Sequence, residues 1–437
     1  MKPFENVSDL VAFIETSKRF IPKINLDKMH YLCDLFDNPQ KRFPSIHVTG
    51  TNGKGSVVAN LKAVFQAAEF RVGTFTSPYI TCFNERIMIN KAMISDEDLL
   101  KLGNRIIAKY DEMERQGKEL PTFFEFTTLL AFLYFSERPD LDLAIIEVGI
   151  GGKLDSTNVI EPLLSIISNV NYDHQNVLGN TLEEILAQKL GIVKHQVPLV
   201  TGIQDAELLK QCLDYCKKTH SAFFPIDYSS IKILKSDLNG TAFVHPELGT
   251  VEIVLPGFHQ IENALIAIEA LKVFNQGLFR KLKRKKFPLS HEILLRGLKQ
   301  TKWPGRLEVM SHNPLVVIDG AHNVDGIYRV TEFIQSLPYE RKRVIFACSH
   351  DKDKQAMIDI LDQAFEEILF TAYTYKRHND VEELFQLSNH PHKRIVNDVK
   401  ETIEIVWKDP YEINLFIGSL YFVSEIRPLI LQKIQNN

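Results

Sequence analysis

A chain of 437 residues is longer than one hydrophobic core usually organises, and its 45% apolar and 24% charged residues are ordinary for a globular protein, so disordered and fibrous readings fall away. The 51 Lys and Arg against 55 Asp and Glu leave a net charge of -4, which excludes a global electrostatic attraction to nucleic acid or an anionic membrane. Five scattered cysteines, odd in number and without a short paired spacing, describe reduced thiols rather than a disulfide framework or a zinc site.

The N-terminal MKPFENVSDLVAF has neither a secretory apolar core nor an Arg-rich presequence, and no apolar run approaches bilayer length, so a cytoplasmic protein is expected. Runs of strand length follow at 45–49 (SIHVT), 71–76 (RVGTFT), 143–149 (LAIIEVG), 163–168 (LLSIIS) and 197–202 (VPLVTG). Between them, Ser95–Arg115, Thr122–Glu137 and Thr181–His195 show helical spacing, each opened by Ser or Thr as an N-cap. This alternation predicts an α/β protein with mainly parallel sheets covered by helices on both faces. Residues 221 to about 256 carry short alternating pieces, IKIL and AFVH, expected as antiparallel strands at one edge of the first domain. The one basic run, Arg280–Lys286, reads as a solvated loop. After a helix over His291–Lys299 a second series of strands begins, LVVID (315–319), RVIFAC (343–348), EILFTA (367–372) and NLFIG (414–418). Two domains follow, 1–299 and 300–437, with the turn at Trp303-Pro304-Gly305 near the hinge.

Chemistry concentrates where these strands end. Gly50-Thr51-Asn52-Gly53-Lys54-Gly55-Ser56 lies between a strand and a helix, as a phosphate-binding loop requires. Its glycines let several N–H groups face one anion, the helix N-terminus adds a favourable dipole, and Lys54 adds a point charge. The spacing departs from the usual pattern, since Gly55 separates the lysine from Ser56. Glu147 opens a polar stretch, Glu147 to Asn158, at the carboxyl end of a strand, where a carboxylate beside a triphosphate suits magnesium; bracing the loop is the alternative. Asn171-Tyr172-Asp173-His174 follows another strand, and His174 taken alone is better explained by structure than by catalysis. His259 and Asn263 share a helix face, Arg306 suits either a ligand or a surface ion pair, and Asp319 to Asn323 form a polar cluster suited to a cleft.

Taken in order, GTNGKGS, TSPY with FNERI, FFEF, EVGIGGKLDSTN, DHQNVLG, QKLGIVK, GFHQIENA, WPGR, DGAHN and GSLY resemble the dihydrofolate synthase/folylpolyglutamate synthase family, the folate branch of the Mur ligases, across nearly the whole chain. The resemblance implies a P-loop ATPase domain and a smaller Rossmann-like C-terminal domain on the glutamate-binding side. It implies an ATP-dependent ligase that adds L-glutamate to dihydropteroate or to folates, or extends folates alone, with a monomeric state and no nucleic-acid or membrane partner. Asn52, Gly53, Lys54, Gly55, Ser56, Asn263, Arg306 and Asp319 are then nucleotide contacts. Ser77, Glu147 and His174 would hold two magnesium ions, with Lys189 carbamylated so that it too presents an anion. Lys54, Lys189 and His322 are the implied catalytic residues, and Phe83, Arg86, Phe124, Asp155, His322 and Ser419 the implied substrate contacts. The pterin would stack on aromatic surface between Ser77–Arg86 and Phe123-Phe124-Glu125. Lys153 in place of arginine, Val324 in place of proline and Ser349-His350 ahead of Asp351-Lys352-Asp353 depart from the commoner family pattern. A hinge near 300 would let one domain close over the other and bring Arg306 in.

Overall fold

The run SIHVT forms β1 (Ser45–Thr49), buried along its whole length, as a strand covered on both faces must be. The computed structural model describes residues 2–17, 24–282, 289–374 and 380–436. Its tertiary contacts divide the chain into one unit of Met1–Ser230 with Glu262–Thr301 and another of Ile231–Ile261 with Lys302–Asn437.

In the first unit β1 is followed by β2 (Val72–Phe75), β3 (Ile87–Ile89), β4 (Ala92–Met93), β5 (Leu143–Glu147), β6 (Leu164–Ile167), β7 (Leu199–Thr201) and β8 (Phe223–Pro225). They make one eight-stranded sheet in the order β4-β3-β2-β5-β1-β6-β7-β8. All neighbours from β2 to β8 run parallel, while β3 and β4 add on antiparallel at one edge. Both faces are covered. Ala144 and Ile146 point into one apolar cluster with the helix Phe123–Ser136, and Val148, Ile167 and Leu199 belong to another with the helices Leu182–Leu190 and Ala206–Lys218. The helix Phe123–Ser136 is apolar around nearly its full circumference, so it sits inside its cluster rather than on a surface. Its start is fixed by a capping box, in which Thr122 Oγ1 accepts from the Glu125 N–H and Glu125 accepts from the Thr122 N–H. Lys28 lies 3.1 Å from the same carboxylate. Cys212 and Cys216 share the buried face of the helix Ala206–Lys218, and burial pushes both thiols up, to about 12 and about 11.

The strands at 221–256 depart from expectation. Only β8 joins the edge of the first sheet. Beyond it β9 (Lys232–Asp237), β10 (Gly240–His245) and β11 (Gly249–Ile253) form an antiparallel sheet of their own, which groups with the second unit. Short hairpins need no crossover, so such a segment can close locally and bury a single face, here through Phe243, Val251 and Ile253. Part of the basic run, residues 283–286, lies outside the described residues.

The main sheet of the second unit comprises β12 (Glu308–His312), β13 (Leu315–Asp319), β14 (Lys342–Phe346), β15 (Glu367–Thr371), β16 (Lys393–Val396) and β17 (Ile413–Ile417), in the order β12-β13-β17-β14-β15-β16. Only β12 is antiparallel to its neighbour. At the sheet's amino end Arg343 is fully buried. Its guanidinium meets Glu367 at 2.5 Å and Asp409 at 2.8 Å and lies 4.0 Å from the centroid of the Tyr411 ring. Charges taken out of water need such full pairing, and removing one partner exposes the cost of the others. Arg343→Ala is expected to lower the unfolding free energy by about 3 kcal/mol in a urea titration, the lower end of the range because Arg394 still pairs Glu367.

Candidate active site

Four neighbouring strands, β2, β5, β1 and β6, run parallel, so their carboxyl ends come out side by side. Register pairs Phe75 with Ile146, Val48 with Glu147 and Thr49 with Ile167. Ligands bind at this edge in open α/β sheets because the chain leaves each strand there in a loop, with helix N-termini facing it. Here the four exits carry Ser77, Glu147, the loop 50–56 and the segment Ser168–His174.

The loop 50–56 is held by main-chain and side-chain bonds to the segment after β6. Asn52 N–H donates to Asn169 Oδ1 at 2.8 Å, Asn171 N–H donates to Thr51 Oγ1, and Thr51 Oγ1 donates to Asn171 O. At Gly50 a Cβ would stand 1.8 Å from Ser168 Oγ. Gly53 has φ +79°, left-handed backbone, and a Cβ there would stand 2.2 Å from Asn263 Oδ1. Asn263 is therefore brought onto the loop. Lys54 begins the helix Lys54–Ala67 and its ammonium donates to Gly50 O and Thr51 O, both at 2.9 Å, which holds the charge over the loop. Gly55 and Ser56 are buried in the first turn of that helix.

Beside the loop, Glu147 is 4% exposed and accepts from the Ser77 N–H at 2.9 Å, so these two residues arrive as a pair. His174 takes left-handed backbone at φ 50° and lies 3.9 Å from Asp173. Lys189, on the helix Leu182–Leu190, is 1% exposed. Burial first, and then the Lys54 charge, hold its amine well below the usual lysine range, with Asp173 opposing them. Ser77 and Glu147 bring a hydroxyl and a buried carboxylate to one place, hard oxygens that suit magnesium completed by phosphates and water. No group of three His, Cys, Asp or Glu side chains placed to hold a metal occurs among the described residues.

A second buried relay braces the loop after β5. Asp155 Oδ2 accepts from the Ile150 N–H, and Oδ1 accepts from both the N–H and the hydroxyl of Thr157. Asp155, assigned to substrate by resemblance, is thus placed as a loop brace. His47 on β1 completes the relay, with Nε2 2.9 Å from Thr157 Oγ1. Because a carboxylate only accepts, the Thr157 hydroxyl donates to it, and His47 Nε2 must carry the proton that Thr157 accepts. Phe124 packs on the same loop, 2.6 Å from a Cβ placed on Gly149. Phe83 and Arg86 are not on open surface. They are 5% and 4% exposed, and the Arg86 guanidinium lies 5.0–5.7 Å from the ring centroids of Tyr79, Phe83 and Phe123. The aromatic faces expected to stack on a heterocycle are partly taken up by this cation, and of the rings there Tyr79 and Phe124 are half-buried.

In the second unit, Asp319 ends β13 fully buried and accepts from the Leu307 N–H at 2.8 Å and the Ala321 N–H at 2.7 Å. Burial raises its pKa, opposed by the Arg306 charge. Gly320 passes close to Arg306, and His322 Nδ1 lies 2.8 Å from Gly320 O. Ser419, 2% exposed, follows the neighbouring β17, and Leu420 presses on Gly320 so closely that a Cβ there would stand 2.1 Å from it. Arg306, Asp319, His322 and Ser419 are in this way gathered at one sheet edge of their own unit.

Comparison with known proteins gives two matching families, the Mur ligase middle domain over residues 48–271 and the Mur ligase glutamate ligase domain over residues 305–419. The chain is 36% identical to the dihydrofolate synthase/folylpolyglutamate synthase of Bacillus subtilis, over 97% of this chain and 99% of that one. It is 34% identical to the folylpolyglutamate synthase of Lacticaseibacillus casei, over 98% and 99%. Among solved structures, the folylpolyglutamate synthase of Thermotoga maritima matches with a TM-score of 0.83 at 30% identity, covering 98% of this chain and 97% of that one. An FPGS–AMPPCP–folate complex matches with a TM-score of 0.83 at 32% identity, covering 98% and 100%.

Sequence reasoning missed Ser168, Asn169, Thr157 and His47. The first two stand directly after a recognised strand and could have been read there, whereas a histidine within an apolar strand carries no local signal of a polar partner. Burial, reinforced by the Lys194 charge, pushes the His47 imidazole down to about 3. The unfolded chain takes up this proton below about pH 6.5 and the folded chain does not, so stability falls as pH drops from 6.5 toward 3. By pH 5 this group removes about 2 kcal/mol. Urea titrations at pH 7 and pH 5 should show a smaller acid loss in His47→Asn than in the wild type, by about that amount.

Proposed function

The chain belongs to the Mur ligase family, on the branch of the dihydrofolate synthases and folylpolyglutamate synthases, and from that premise we propose that it joins L-glutamate to dihydropteroate and to the γ-carboxylate of reduced folates. It is an ATP-dependent ligase that forms carbon–nitrogen bonds. The observation that carries the reading is the glycine loop with Lys54 at the end of β1, flanked on the adjacent strand end by the buried Glu147 and, behind it, by the buried Lys189. No helix among the described residues is long and apolar enough to cross a membrane. The same reading carries a monomeric, cytoplasmic enzyme.

The chemistry follows from what a carboxylate lacks. Its carbonyl is a poor electrophile and oxide a poor leaving group, so a carboxylate oxygen attacks the γ-phosphorus of ATP, the bond from that phosphorus to the bridging oxygen breaks, and ADP leaves. The product is an acyl phosphate. The loop N–H groups of residues 53–56 and the N-terminus of the helix Lys54–Ala67 hold the phosphates, with Asn52 beside them, and Lys54 offsets the charge that builds on the transferring group. Asn263, seated against Gly53, fixes the loop and borders the nucleotide. Ser77, Glu147 and His174 would hold magnesium, which would supply positive charge to the phosphates. The amine of glutamate then attacks the acyl carbon, phosphate leaves with its bonding pair, and the amine loses a proton as the amide forms. Arg306, Asp319, His322 and Ser419 are proposed to position nucleotide and amino acid. Phe124 presents the aromatic face for the pterin, with Phe83 and Arg86 supporting the wall from within.

Lys189 has a distinct part. Only a neutral amine adds to carbon dioxide, and burial, then the Lys54 charge, shifts this amine toward its neutral form. The resulting carbamate, formed with release of one proton, replaces that amine by an anion beside Lys54. Intact mass and 13C NMR after exchange with labelled bicarbonate should show one carbamate, lost in Lys189→Ala. That variant should lose activity by about 100-fold or more and recover part of it with added short carboxylates. Recovery with none, and no carbamate signal in the wild type, would sink this assignment.

Relatives carry both functional names, so substrate decides between two activities and one. ADP release with ATP, magnesium and L-glutamate, with the amide checked by mass, is expected with dihydropteroate and with tetrahydrofolate alike. Product from tetrahydrofolate alone would make the enzyme a dedicated polyglutamylase, and product from neither would overturn the reading.

A further inference from the structure

Arg306 sits between two residues of left-handed backbone, Gly305 at φ 71° and Leu307 at φ 43°. Glycine adopts that region freely, but a leucine is rarely found there and stays only where its surroundings hold it. Leu307 is 1% exposed, so the strained residue is locked inside the second unit rather than left to relax in a surface loop.

Three hydrogen bonds hold the turn, and all fall on the two neighbours of Arg306. The Leu307 N–H donates to Asp319 Oδ2 at 2.8 Å, the Gly320 N–H donates to Gly305 O at 2.9 Å, and the Gly305 N–H donates to Glu308 Oε2 at 2.8 Å. The first two come from the end of β13. The third is made by a side chain that reaches back three residues along its own segment and closes the turn around Arg306.

Glu308 is itself fixed. It opens β12, where it pairs with Ile318 of β13. From the C-terminal helix Leu420–Asn436, Arg427 grips its carboxylate at two points, with Nη2 donating to Oε1 at 2.8 Å and Nε donating to Oε2 at 3.0 Å. A two-point pairing sets the plane of a carboxylate as well as its position. Both side chains are about one-fifth exposed, and an ion pair so placed contributes little to stability by itself. What distinguishes this one is where its second oxygen points: Oε2 is turned onto the backbone next to Arg306, in a turn that is left-handed on either side of that residue.

We propose that Glu308 is a positioning residue for the nucleotide: gripped by Arg427, it fixes the turn Gly305–Leu307 so that Arg306 is presented to ATP from a preset backbone. This rests on the ligase reading above, in which Arg306 contacts the nucleotide, and adds a residue that acts through it. A long cationic side chain carried on a preset turn has less freedom to lose when it binds.

A double-mutant cycle on the full-length protein tests it, with the dissociation constant of the ATP analogue AMPPCP measured by titration calorimetry in the presence of magnesium and amide synthesis by the wild type followed in parallel. Glu308→Ala is expected to weaken AMPPCP binding roughly 10-fold, the scale of one lost hydrogen bond to a charged group, but by less than about twofold in the Arg306→Ala background. Glu308→Gln keeps an oxygen for the Gly305 N–H and loses the charge that Arg427 grips, so it should give a smaller weakening with the same dependence on Arg306; it carries the test if the alanine variant does not fold. Equal weakening in both backgrounds would mean that Glu308 supports the unit as a whole and does not act through Arg306. Binding unchanged by both Glu308 variants, or unchanged by Arg306→Ala, would mean that the turn does not serve the nucleotide. Each of these results overturns the proposal, and amide synthesis by the wild type leaves the ligase reading standing. Absence of amide from the wild type would overturn both.

Discussion

Parallel pairing of β2, β5, β1 and β6 is the constraint from which the first unit's chemistry descends. Strands that run the same way must each be left at the same edge, so four exits meet there regardless of their separation in sequence. Residues near 50, 77, 147 and 170 become neighbours for this reason alone. Each exit then needs its backbone polar groups satisfied, and the exits satisfy one another: Asn169 caps Asn52, Thr51 and Asn171 exchange two bonds, and Glu147 takes the Ser77 N–H. The glycine loop is shaped as much by these partners as by its own sequence. Gly50 and Gly53 are required where Ser168 and Asn263 come closer than any Cβ allows.

Burial does the electrical work. A lysine in water is a cation at any ordinary pH, but Lys189 is enclosed by protein and faces Lys54, so its charged form is disfavoured twice. His47 is driven to the neutral form by the same desolvation, which fixes one tautomer and lets a histidine serve as a plain donor in a relay to Asp155. Arg86 shows the opposite solution. Its charge remains, met by the faces of three aromatic rings.

The second unit repeats the geometric rule with different chemistry. Its exits after β13, β17, β14 and β15 carry Asp319, Ser419, Ser349 and Tyr373, a carboxylate held by two N–H groups and a row of hydroxyls rather than a glycine loop. The first unit gathers a glycine loop and a lysine at its edge, and the second gathers a carboxylate and buried hydroxyls.

The amino-acid order by itself determined the α/β class, the principal buried strands and the phosphate loop, because those depend on local periodicity and on glycines at short spacing. SIHVT, LAIIE, LVVID and NLFI became strands where the pattern placed them. Strands such as β3, β4 and β16 are too short or too polar to announce themselves, and the alternating pieces at 232–253 could not say which sheet they would join, since pairing is a choice among partners distant in sequence. The same limit applied to side chains. Nothing local distinguishes His47 from any apolar strand position, Arg86 from a surface arginine, or Tyr373 from a loop tyrosine. Only the tertiary structure decided that the first is a donor to Thr157, the second a cation enclosed by rings and the third a buried partner of Ser349, because burial and hydrogen-bond partners arise when separate strands are brought together.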